Sequence, residues 1–290
     1  MRDKMIHVRI LLAILVLLGF QIATTAQTKT AKRTGGMLLA VQAWTFTRYT
    51  AIEAIEKTAQ AGGTNIELFP GQDLGNNYPG IKIGPDMGDE ATKILQSHLT
   101  KNNVNVVAFG VTQIQNQENQ ARKLFSWAKT LGIGIIQTES TEALDTIEKM
   151  VKEFDIKVGF HNHPKTADPN YKVWDPAFVR DLVKKRDKRI GACADTGHWV
   201  RSGIKPVDAL KILKGRIVSS HLKDLHAFSP QGHDVPFGSG VSDVPAILAE
   251  LRRQGFRGSL SVEYESNWES SIPEVAQCLG FVRGYFSPKR

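Results

Sequence analysis

The segment 190–200, IGACADTGHWV, runs apolar and small as far as Ala194 and then presents Asp195, Thr196, Gly197 and His198. A carboxylate and an imidazole delivered together at the end of a buried strand are what a divalent cation or a proton-transfer site requires. Three other segments end in the same way: VGFHNH at 158–163, VSSHLKD at 218–224 and LSVEYE at 260–265. Their polar residues recur with period two. His161 and His163, His221 and Lys223, and Glu263 and Glu265 therefore share a face, with Phe160, Leu222 and Val262 on the other.

The elements that must carry these residues follow from the pattern of the whole chain. Strands are predicted at 37–44, 65–69, 104–111, 133–138, 157–162, 190–195, 217–223 and 259–264. Helices are predicted at 51–61, 89–101, 118–130, 141–154, 176–185, 206–213, 244–254 and 272–286, several closed by glycine or opened by proline. Eight alternating pairs in one chain point to an α/β fold, a single-domain (β/α)8 TIM barrel over 37–288. A doubly wound open sheet fits less well, because no glycine-rich phosphate turn follows the first strand. In the barrel every polar residue named above lies at a strand's C-terminal end, the face on which barrel enzymes keep their chemistry. The inward set becomes Gln42, Trp44, Glu67, Glu139, His161, His163, Asp195 with His198, His221, Lys223 and Glu263.

Residues 1–26 stand apart from this fold. Arg2, Lys4 and Arg9 precede the apolar run 10–20, which is short for a membrane span and is followed by Thr24, Thr25 and Ala26. The pattern is that of a secretory signal peptide, with a short linker at 27–36 before the barrel. The expected protein is exported, periplasmic or secreted, with no membrane association after cleavage. Without those 26 residues the chain has 34 basic and 28 acidic residues, a net charge of +6. The excess is spread along helices, which argues against nucleic acid as a partner. Cys193 and Cys278 are expected as buried free thiols, since a domain of this size needs no disulfide.

The motif order D-T-G-H at Asp195, S-x-H-x-K-D at Ser219, G-H-D-V-P-F-G-S-G at Gly232 and E-Y-E at Glu263 resembles the xylose isomerase-like TIM-barrel superfamily. That group includes sugar isomerases and epimerases, inosose dehydratases and endonuclease IV-like repair enzymes. In its sugar epimerases one divalent ion, usually manganese, is held by a glutamate, an aspartate, a histidine and a second glutamate. The resemblance implies that Asp195, His221 and Glu263 are the last three metal ligands. At the first position His161 stands where a carboxylate is usual, so either Glu139 on the preceding strand supplies it or His161 ligates directly. Glu139 is favoured, because the H-N-H strand resembles the inosose dehydratase and keto-sugar branch. An endonuclease with a three-metal cluster fits poorly, since strands one to three carry no histidine.

The expected cofactor is one divalent ion, manganese first, with zinc, cobalt or magnesium as alternatives. A cation bound to a hydroxy-ketone polarises the carbonyl and stabilises the enediolate that follows removal of the neighbouring proton. His163, His161, Lys223 and Glu263 are the candidate catalytic residues, and Trp44, Glu67, His198 and His233 the candidate contacts to a small carbohydrate substrate. Each also has a structural alternative: Glu67 could join barrel strands, Trp44 could plug the barrel, Lys223 could pair with Asp224, and His233 could order its glycine-rich loop. The resulting expectation is a metal-dependent sugar isomerase or epimerase. A keto-sugar dehydratase or 3-keto-glycoside lyase, and a non-catalytic sugar-binding barrel, are the alternatives.

Overall fold

The computed structural model describes residues 31–288, so the expected export signal at 1–26 lies outside the described residues. Eight parallel strands close into a barrel. Seven are β1 (Leu38–Gln42), β2 (Asn65–Leu68), β3 (Asn105–Phe109), β4 (Ile135–Thr138), β5 (Lys157–His161), β6 (Ile190–Asp195) and β7 (Ile217–Leu222). A two-stranded hairpin, β8 (Asp224–Leu225) and β9 (Asp234–Val235), then interrupts the alternation. The last barrel strand, β10 (Ser259–Val262), pairs with both β7 and β1 and so shuts the ring. The helices are α1 (Ala51–Gln60), α2 (Gly88–Lys101), α3 (Glu118–Thr130), α4 (Leu144–Phe154), α5 (Pro176–Val183), α6 (Thr196–Arg201), α7 (Pro206–Ile212), α8 (Val244–Arg253) and α9 (Ile272–Phe286). Among the described residues no helix is long and apolar enough to cross a membrane.

A parallel strand walled by helices outside and by its own barrel inside is buried on both faces, so it reads as an unbroken apolar run rather than an alternation. All six residues of β6 are buried, which is why its sequence shows no polar residue before Asp195. Outside the barrel Leu95, Ile147 and Leu248 are wholly buried, each such side chain contributing about 1.5–3 kcal/mol. Local signals set the helix starts. Thr50 and Glu53 form a reciprocal capping box on α1, and Asp175 accepts the Ala177 N–H at 2.8 Å beside Pro176 at the start of α5.

Two differences from the sequence expectation bear on the site. β1 stops at Gln42, whose side-chain oxygen accepts the Trp44 N–H at 3.1 Å and turns the chain into a short 3-10 helix, Ala43–Phe46. Trp44 therefore leaves the strand and stands 40% exposed, edge-on to Phe69. The chain after Asp195 forms α6, a helix absent from the eight predicted, with Asp195 as its N-cap: Oδ1 accepts the His198 N–H at 2.7 Å.

Candidate metal centre and acid–base cluster

Register decides which polar residues meet. Asp195 at the end of β6 is paired with His221 on β7, and His161 at the end of β5 is paired with Cys193, two residues lower on β6. His161 is thereby sunk into the barrel and His163, on the same face, is left half exposed at its mouth. Glu263 follows β10 directly, and β10 lies beside β7.

His161, Asp195, His221 and Glu263 each offer one ligand atom, and the four atoms lie within 4.8 Å of one another. His161 Nε2 is 3.6 Å from Asp195 Oδ2, His221 Nδ1 is 3.8 Å from the same oxygen, and His221 Nδ1 is 3.1 Å from Glu263 Oε2. Donors held at about 2.1 Å in a tetrahedron around one ion stand roughly 3.4 Å apart, so the spacing fits. Two of the four atoms, His161 Nε2 and His221 Nδ1, are buried without a well-aligned hydrogen bond among the described residues, while the buried Glu263 Oε2 is met by the Lys223 ammonium. Buried polar atoms are seldom left so unless something else satisfies them, and a cation would satisfy both nitrogens.

Each histidine of this group also has a carboxylate behind its other nitrogen. Glu67 Oε1 is 2.7 Å from His221 Nε2, and Glu139 Oε1 is 3.4 Å from His161 Nδ1. Such backing fixes which nitrogen carries the proton and which is free to ligate. Glu67 is itself held by Gln42 Nε2 on the adjacent β1 at 2.7 Å and by Ser261 Oγ on β10, the next strand along, at 2.6 Å. Of the two candidates for the first ligand position, the structure groups His161 with the other three and places Glu139 behind it. Glu67 is placed behind His221 and fully enclosed rather than at the mouth.

Lys223 is the buried cation of the site. Its Nζ lies 2.9 Å from Asp195 Oδ2, 2.7 Å from Glu263 Oε2 and 3.0 Å from Glu265 Oε2. A carboxylate oxygen has lone pairs for both an ammonium and an ion. Burial works against the charge of Lys223, yet Asp195, Glu263 and Glu265 together hold its pKa well above the usual lysine range. Gly197 of the D-T-G-H motif makes room for it: a Cβ there would come within 2.7 Å of Lys223 Cβ. The same environment acts oppositely on His198, whose Nε2 is 3.4 Å from Lys223 Nζ. Burial pulls that imidazole well below its usual range despite the nearby Asp195, and Lys223 adds to the effect.

At the mouth, Glu139 gathers a second cluster. Its Oε1 lies 2.6 Å from His163 Nδ1 and accepts the Tyr171 hydroxyl at 3.0 Å, while the same hydroxyl accepts the His163 backbone N–H at 2.8 Å. Partial burial pushes the Glu139 carboxyl up, but His161 and His163 outweigh it and hold it far below the carboxylate range. Burial likewise opposes a charge on His161, and Asp195 and Glu139 overcome it to raise that imidazole to about 9. A carboxylate against one ring nitrogen orients a histidine for proton transfer through the other.

Arg201, one turn after His198, donates to Glu265 at 3.0 Å and Asp234 at 2.9 Å and lies 3.1 Å from His198 Nδ1. Tyr171 and Arg201 escape a reading of the sequence: the first sits in an aperiodic loop, and only a spacing of three from His198 marks the second. His233 is not brought to the cluster. Its ring stacks on His226 across the β8–β9 hairpin, with centroids 3.7 Å apart, and its backbone N–H donates to His226 Nδ1.

Residues 55–280 match the family described as xylose isomerase-like TIM barrel. A curated relative, the rhizopine catabolism protein MocC of Rhizobium meliloti, is 31% identical over 151 residues, 47% of this chain and 45% of that protein, so the match spans less than half of the relative's length. A solved structure from Parabacteroides distasonis ATCC 8503 is 32% identical, with a TM-score of 0.69 over 86% of this chain and 99% of its own. An IOLI protein with a bound zinc atom shares the fold at 16% identity, with a TM-score of 0.64 over 87% of this chain and 99% of its own.

Proposed function

Because this chain belongs to the xylose isomerase-like TIM barrel family, we propose that it is a divalent-metal-dependent isomerase or epimerase of a hydroxy-ketone sugar or sugar derivative. The observation that supports this reading best is the convergence of His161, Asp195, His221 and Glu263, with two buried imidazole nitrogens lacking a hydrogen bond and a carboxylate behind each histidine. Two imidazole nitrogens and two carboxylate oxygens suit manganese, zinc or cobalt better than magnesium. Bound by these residues, a divalent ion would polarise a ketone oxygen and acidify the adjacent C–H.

The chain's own residues supply the proton chemistry. His163, held through Nδ1 by Glu139, has its second nitrogen as the acceptor for a proton on carbon, and the Glu139 carboxylate stabilises the imidazolium that forms. Lys223 and Glu263, 2.7 Å apart, make a second acid–base pair in the same site. Return of the proton at the neighbouring carbon gives an isomer; return to the opposite face of the same carbon gives an epimer. Both cations of the site, the buried Lys223 and the partly buried Arg201, are committed to carboxylates, in keeping with a free sugar rather than a sugar phosphate.

A second reading, elimination from a keto-glycoside, is favoured by one observation: the His163 side chain is 51% exposed while still backed by Glu139, the position of an acid able to protonate a departing oxygen. The two readings separate in deuterated water. Manganese-loaded protein incubated with a panel of ketoses, aldoses and 3-keto-glycosides should incorporate deuterium beside the carbonyl and release an isomer or epimer, and chelation should stop both. Release of the aglycone assigns the lyase instead. Absence of exchange and of product across the panel would leave a sugar-binding barrel.

A further inference from the structure

A groove of about 380 Å³ lies beside the acid–base cluster, and two of its walls are continuations of site residues. Pro164 follows His163 directly, and Val200 and Arg201 follow His198 along α6. The outer wall is the β8–β9 hairpin, which contributes Phe228 and Pro230. Phe228 is 45% exposed and makes no ring contact among the described residues.

Several polar groups of the groove are already engaged within the protein. Ser202 Oγ donates to His198 O and accepts the Lys165 N–H, Thr166 Oγ1 accepts the Asp168 N–H, and Arg201 is divided among Gly232 O, Asp234 and Glu265. The Lys165 ammonium sits over the Trp174 ring, 4.8 Å from its centre. A second sugar ring would bury hydroxyls here with few partners beyond the Lys165 ammonium, which is costly, whereas a flat apolar ring needs none and gains the face of Phe228. We infer that this groove is an aglycone subsite: it takes the aromatic group of an aryl glycoside whose sugar ring occupies the metal centre.

The inference rests on the metal centre receiving a sugar, and it is tested by binding rather than turnover. Titration calorimetry on the metal-loaded full chain would compare phenyl β-D-glucopyranoside, methyl β-D-glucopyranoside and cellobiose. The phenyl glycoside should bind at least about fivefold more tightly than the methyl glycoside, the range expected of one aromatic contact. Phe228→Trp should keep that preference, and Phe228→Ala should reduce it below twofold. Circular dichroism would verify that both variants are folded. Equal affinity for the two monoglycosides, no binding of either, or a preference that survives Phe228→Ala overturns the subsite. Tighter binding of cellobiose than of the phenyl glycoside assigns the groove to a second sugar and overturns the aromatic occupant. Proton exchange in deuterated water without a phenyl preference removes the groove alone; loss of both exchange and glycoside binding removes the reading of the metal centre as well.

Discussion

Glu67 Oε1 stands 2.7 Å from His221 Nε2 in the middle of the barrel, where neither side chain is exposed. The pair joins β2 to β7, strands that are not neighbours in the sheet, so His221 is positioned from across the barrel interior. Its free nitrogen, Nδ1, then faces Glu263 and Asp195. Glu67→Gln should weaken manganese or zinc binding by about 10–100-fold, the usual cost of removing a carboxylate behind a ligating histidine. Calorimetric titration with the ion alone checks it; unchanged affinity would show that the orientation of His221 does not depend on Glu67.

Asp195 has two duties on two oxygens. Oδ1 caps α6 and Oδ2 belongs to the ligand group. Asp195→Asn and Asp195→Ala should both abolish ion binding, but only asparagine can still accept the His198 N–H. Thermal denaturation should therefore find the alanine variant less stable than the asparagine variant by about 1 kcal/mol, the worth of an N-cap.

His161 and Glu139 are separable by the same titration. With His161 in the ligand group and Glu139 behind it, His161→Gln should lower ion affinity more than Glu139→Gln does. Glu139→Gln should chiefly reduce kcat, because it also removes the partner of His163 Nδ1. The opposite order would make Glu139 the ligand.

Tyr171 is a positioning residue whose hydroxyl ties Glu139 to the His163 backbone. Tyr171→Phe should lower kcat by roughly tenfold with little change in KM, and change stability by no more than about 1.5 kcal/mol. A change in KM alone would place the tyrosine on the substrate instead.

Away from the site, the side-chain hydrogen bond from Arg253 holds the Glu250 carboxyl down to about 2 from 4.5, against the effect of burial and with help from Gln254. A carboxyl whose folded pKa is depressed contributes stability above its unfolded pKa and loses it as pH falls through the folded one. The difference in stability between the wild type and Glu250→Gln should thus be fully present above about pH 4.5 and gone near pH 2. Its size should not exceed about 1 kcal/mol, because Arg253 is solvent-screened. Denaturant unfolding at pH 6, 4 and 2.5 would measure it, and a difference that grows on acidification would refute the assignment.

The barrel was legible because its evidence is distributed: eight buried strands read as apolar runs, and the helices between them keep their periodicity. Asp195, His221 and Glu263 were legible for the same reason, each standing where such a run ends. What depends on stagger between strands was not. His161 and Glu139 both stand at strand ends, and only the pairing of His161 with Cys193 shows which of them is sunk into the barrel. Elements of two to six residues, such as the β8–β9 hairpin and α6, are too short to show a period. Tyr171 and Arg201 act through distances to residues that lie far from them in sequence, Glu139 and Asp234, and no local pattern records that.

The hairpin that walls the groove is closed at its base. Asp224, next to Lys223, accepts the backbone N–H groups of Gly238, Gly240 and Ser242 at 2.9–3.0 Å, and a Cβ on Gly240 would collide with its carboxylate. The β8–β9 pairing and this one carboxylate together fasten the returning chain below the tip, which runs from His226 to His233. Tip residues other than Gly232, whose carbonyl accepts from Arg201, can then be exchanged without disturbing Lys223. The molecule is thereby divided into a fixed reaction centre and a replaceable cassette, in which side chains such as Phe228 can set a preference while the residues that do chemistry stay in place.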